Sequence, residues 1–111
     1  MDLEIEKQDK LRDLTIMLNK LRKSGTDYAE KEKKYKILLR EECLKLRDSG
    51  MAIGMIDKIC YGIPVVAEAR FERDVAETMH KVNFEEVNSI KLQLRLLDAQ
   101  IEREYGINNS N

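Results

Sequence analysis

Apolar residues recur along this chain at intervals of three and four, and no segment alternates apolar with polar as a half-buried strand does. Leu11, Leu14, Leu18 and Leu21 form a narrow seam, widened by Ile16 and Met17, and predict a first helix over 2–23. Ser24-Gly25 reads as its stop, with Gly25 suited to the left-handed position past a helix end and Arg22 and Lys23 complementing the last turn. Asp27, followed three residues later by Glu30, resembles a capping box and opens a second helix that runs to Asp48. Its inner face is Tyr28, Tyr35, Leu39, Cys43 and Leu46, and Glu30–Lys34 and Glu32–Lys36 brace its outside. Ser49-Gly50 repeats the stop. Met51–Tyr61 predicts a short apolar helix, read as a plug for the corner between longer helices or as an exposed docking knob.

The stretch from Pro64 to Tyr105 has no glycine, and its one proline opens it. Proline suits the first helical position, where its missing N–H costs nothing. One helix of ~63 Å is expected at ~1.5 Å per residue. Two seams lie on it. The upper is Phe71, Val75, Met79 and Val82; the lower is Val87, Ile90, Leu94, Leu97 and Ile101. Extended backward, the lower seam passes Asn83, His80, Ala76, Arg73, Ala69 and Val66, so polar residues fall in line with it. The expected fold is all-α: a helical hairpin or bundle of three long helices plus one short apolar helix, built on the long C-terminal helix at about 64–105. Residues 1–106 are expected to form a single domain with two hydrophobic clusters, and 107–111 a frayed polar tail.

Composition sharpens this picture. Charged residues make up 37% of the chain, yet 20 basic and 21 acidic side chains nearly cancel, which denies a general case for nucleic acid. The N-terminus lacks the apolar core of a signal peptide, and no run approaches a membrane span. Cys43 and Cys60, without CxxC spacing, read as reduced thiols of a cytoplasmic protein.

Chemistry has little to stand on. Glu77-Thr78-Met79-His80 has the Glu-x-x-His spacing of carboxylate-bridged metal bundles, but with a single histidine only a homodimer could double the motif, and no metal or cofactor is expected. No phosphate-cradling glycine loop or nucleophile motif is present, and the chain reads as non-enzymatic. Arg70, Arg73, His80 and Asn83 make a polar band with three readings: a layer that fixes helix register, an interfacial pocket for an anionic ligand, or ordinary exposed charge. The Val87, Ile90, Leu94, Leu97 and Ile101 seam is the candidate partner interface. Two shorter helices packed side by side would leave part of the long one bare, which points to a homo-oligomer.

Two stretches, "YKILLREECLKLRDSGMAIGMIDKICYG" after Tyr28-Ala29-Glu30 and "VAEARFERDVAETMHKVNFEEVNSIKLQLRLLDAQIEREYG", resemble small helical accessory proteins of bacteriophages and prophages of Gram-positive bacteria. The resemblance spans about residues 28–106. It implies a phage-encoded protein in the host cytoplasm that associates with itself or with a host or phage protein. The alternative is an anti-defence module that sequesters a nucleotide signal at the Arg70, Arg73, His80 and Asn83 band.

Overall fold

A computed structural model describes residues 2–109. The order is α1 (Leu3–Asp48), α2 (Ile53–Ile59), a 3-10 turn (Cys60–Gly62) and α3 (Pro64–Asn109), with no strand among the described residues. The all-α expectation holds, but the helix count does not. Among the described residues three α-helices form rather than four, because α1 runs unbroken through Ser24-Gly25 and Asp27. At its other end α3 continues past Tyr105-Gly106 to Asn109, so the predicted tail is helical as far as it is described; residues 110–111 lie outside the described residues.

The chain divides into two compact units. The first joins Met1–Lys23 to Lys81–Asn111, and the second is Ser24–His80. In the first unit Val87, Ile90, Leu94 and Leu97 of α3 are buried, with Leu14, Met17, Leu18 and Leu21 of α1 half-buried. The helices run antiparallel there: Lys7 meets Asp98 at 2.8 Å and Asn83 donates to the Lys20 carbonyl at 3.4 Å.

In the second unit, Lys34 meets Glu72 at 3.2 Å while Ser24 meets His80 at 2.9 Å, so its helices are antiparallel too. Tyr35, Val66 and Ala69 form its buried cluster, with Leu38, Leu39 and Ile63 packed against it. Ile56 and Cys60 are also buried, so the short apolar segment does plug the turn, through one face.

The two Ser-Gly pairs behave oppositely. At Gly50 the backbone is left-handed, with φ +89°. Its N–H reaches the Arg47 carbonyl and that of Met51 reaches Leu46, which together make a Schellman stop. After the turn, Ile63 adopts the extended backbone that a following proline favours, and its carbonyl accepts from Val66 and Ala67 to open α3. Gly25 instead lies inside α1 because it faces α3. A Cβ at that position would sit 3.1 Å from His80 Cε1. Here glycine makes room for an imidazole; it does not end a helix.

Adding a methyl at Gly25 therefore sets two effects against each other. Replacing a mid-helix glycine by alanine is worth ~1 kcal/mol of helix preference, while the ring opposite is crowded. In urea melts, Gly25→Ala should stabilise a His80→Ala background by about 1 kcal/mol and lose that gain when His80 is present. Equal gains in both backgrounds would refute the seat.

Candidate functional site

The polar residues on the α3 seam have partners within their own units. Arg73 Nη1 donates to both oxygens of Glu32, at 3.1 and 3.3 Å, and its Nε donates to Asp74 at 2.7 Å. Its guanidinium carbon lies 4.7 Å from the centre of the Tyr35 ring, a cation–π contact at the edge of the buried cluster. The Glu32 hydrogen bond, against some desolvation, holds Arg73 more firmly protonated than an ordinary arginine, with Asp74 adding to the effect. About two turns further along α3, His80 Nδ1 pairs with the Ser24 hydroxyl at 2.9 Å, and the Tyr28 ring lies 6.4 Å from the imidazole. Burial pushes the Tyr28 phenol up, and the carboxylates of Glu77 and Glu32 push it further.

These contacts bear on the three readings of the band. Arg73 is neutralised by two carboxylates, His80 is engaged by Ser24, and Arg70 is exposed with its guanidinium 5.7 Å from the Tyr61 ring centre. Asn83 belongs to the other unit, where it holds the Lys20 carbonyl. Within the second unit Arg70, Arg73 and His80 each meet a separate partner. Arg73, His80 and Asn83 each lock an antiparallel helix pair at one register. Among the described residues no group of three or more His, Cys, Asp or Glu is placed to hold a metal ion.

The candidate partner seam is occupied from inside. Val87, Ile90, Leu94 and Leu97 are buried within the lone chain and Ile101 is half-buried. The physical reason is the unbroken α1. A helix of 46 residues supplies cover that two side-by-side helices would have lacked.

Apolar surface is left elsewhere. In the second unit the outer side of the turn exposes Ile53 (77%), Met55, Ile59 and Tyr61, and α3 exposes Phe71 (63%), Val75 (46%) and Met79 (53%). No family model, curated protein or solved structure matches the chain. Its function must be read from this surface and the sequence. No described helix is long and apolar enough to cross a membrane.

The upper seam on α3, from Phe71 to Val82, was visible in the sequence as a repeat of apolar positions. That it stays uncovered was not. Thr78, which sits among these residues, satisfies its hydroxyl on the Asp74 carbonyl of its own helix at 3.0 Å. The strip Phe71, Val75, Thr78 and Met79 therefore carries no charge and no unsatisfied hydroxyl, and a dry contact there would strand nothing.

Two stability measurements check this division of faces. Leu94→Ala should cost about 2–3 kcal/mol in urea unfolding, whereas Leu92→Ala, a neighbour that is 51% exposed, should stay within ~0.5 kcal/mol. Similar losses would mean that the buried seam is misassigned. For the charged contact, a double-mutant cycle on Arg73→Met and Glu32→Gln should show coupling of about 1 kcal/mol that shrinks in 1 M salt. Zero coupling would reduce the pair to a surface coincidence.

Proposed function

We propose that this chain is a non-enzymatic helical association protein that pairs with a second copy of itself through the uncharged strip Phe71, Val75, Thr78 and Met79 on α3. The observation that carries the reading is the exposure of three large apolar side chains at four-residue steps, on a helix whose opposite seam is already buried inside the chain. Contiguous apolar surface on a soluble helix usually marks a contact, while scattered single residues need no explanation. Antiparallel pairing about a two-fold axis is the simplest way for one strip to cover another.

The sequence resemblance to phage accessory proteins supplies the setting of the proposal: the cytoplasm of a Gram-positive host, with a host or phage protein as the further partner. The nucleotide-sequestering alternative gains no support from Arg70, Arg73 and His80, whose contacts lie within the chain. The non-enzymatic part of the reading rests on the same point. The polar side chains of the second unit hold helices together and do not converge on a shared cleft.

Light scattering after gel filtration tests the pairing. At tens of micromolar the mass should exceed that of one chain. Val75→Glu should return it to one chain without loss of helical circular dichroism, because residue 75 is 46% exposed and a carboxylate is tolerated there in the monomer. A wild-type protein that stays a single chain throughout this range would overturn the reading. So would a Val75→Glu variant of unchanged mass.

A further inference from the structure

One side of the first unit carries an open groove along the line where α1 and α3 meet. Lys10, Asp13 and Ile16 of α1 line it opposite Glu86, Ser89 and Gln93 of α3. It continues toward the start of α1 between Glu6 and the α3 residues Leu96 and Gln100, and then along α1 past Asp2, Ile5 and Asp9. The buried side chains Ile90 and Leu97 form its floor. Ile5 (61%), Ile16 (50%) and Leu96 (61%) stand exposed along it. The 20 basic and 21 acidic side chains of the chain nearly cancel, but not here. Asp2, Glu6, Asp9 and Asp13 recur at steps of four, three and four, so they share one stripe of α1, and Glu86 adds a carboxylate from α3. Asp9 meets Arg12 at 3.3 Å on the exposed surface, and Asp2 accepts from the Glu4 N–H at 2.9 Å. The base lining the groove is Lys10, near its middle.

The charge selects the occupant. Like-charge repulsion opposes a phosphate backbone, an anionic lipid surface and the same groove on a second copy. An apolar floor rimmed by carboxylates is complementary to a helix whose apolar stripe is flanked by lysine and arginine. The groove follows α1 over residues 2–17, roughly 24 Å at ~1.5 Å per residue, which is the length of about four helical turns. We infer that this groove docks a cationic amphipathic helix of a partner protein, which lies against α1 and α3 as a third helix. Its apolar side chains cover Ile5, Ile16 and Leu96. Its basic side chains meet the carboxylate stripe, and one acidic side chain near its middle meets Lys10. The inference gives the chemistry of a further partner and does not rest on self-pairing, because the Phe71 strip belongs to the other unit.

The test is fluorescence anisotropy of an end-blocked, fluorescein-labelled peptide of about 16 residues, with leucine at steps of three and four, lysine on both flanks and one central glutamate. Titrated with the full chain in ~0.1 M salt, its anisotropy should saturate in the micromolar range, and binding should weaken several-fold in ~0.5 M salt. Asp13→Lys should weaken binding about tenfold and Ile16→Ser several-fold. Glu41→Lys, the same change of charge on an exposed residue of the second unit, should change it less than about twofold. All three positions are exposed, so helical circular dichroism should be unchanged in each variant. Failure to saturate at millimolar protein would overturn the inference. So would equal binding of a scrambled peptide of the same composition, or equal effects of Asp13→Lys and Glu41→Lys. A fall in the mass of the free protein on Asp13→Lys would make the occupant a second copy and overturn it too.

Discussion

In each unit the buried side chains of α3 are covered by the stretch of α1 folded against them, joined in the second unit by Ile63. A helix in water is marginal on its own preferences and takes most of its stability from the face it buries. Neither α1 nor α3 is strongly amphipathic through composition, since charged residues fall on every side of them. What singles out the buried line is its unbroken three-and-four spacing. On α3 it runs from Val66 through Ala69, Arg73, Ala76 and His80 in one unit, and from Asn83 through Val87, Ile90, Leu94 and Leu97 in the other. That pairing also explains how α1 survives a glycine in its interior. The penalty of ~1 kcal/mol for Gly25 is small beside the contacts that a break in the helix would forfeit.

A seam made only of leucines leaves register loosely defined, because one heptad packs much like the next. The polar members of this seam remove that freedom. Arg73 needs Glu32 and the Tyr35 face; His80 needs the Ser24 hydroxyl and the space over Gly25; Asn83 needs the Lys20 carbonyl. The three demands differ in charge, size and hydrogen-bond direction, so a slipped pairing satisfies none of them. It would instead leave a guanidinium opposite an apolar neighbour and an imidazole against a Cβ, each costlier than the contact it replaced. The same residues thereby hold each helix pair in register.

Much of this was legible in the sequence, and the failures have definite causes. The Pro64 start, the Ser49-Gly50 stop and the whole buried line of α3 follow from local chemistry and period. The misjudged point was Ser24-Gly25, where the dipeptide itself is uninformative: the same two residues end a helix at Gly50 and lie within one at Gly25. Context separates them. Gly25 is the lone glycine of the first 49 residues, whereas Gly50, Gly54, Gly62 and Pro64 crowd together. The bulk of His80, which decides the matter, is remote in sequence. Arg73, His80 and Asn83 were correctly placed on the seam, but periodicity alone could not say whether they mark a gap or belong to it.

Moving the expected contact from the Val87–Ile101 seam to the outer strip changes the kind of association that follows. The earlier seam, had it been bare, would have required a permanent partner for the chain to fold at all. The outer strip makes no such demand, because both units already bury a core without it. Phe71, Val75 and Met79 are each about half exposed, and covering what remains is worth ~1–2 kcal/mol per side chain. Two copies together gain ~6–12 kcal/mol, within the ~4–15 kcal/mol that bringing two chains together costs. A contact on this strip is reversible and set by concentration. Tighter association requires the apolar side of the turn to be covered as well.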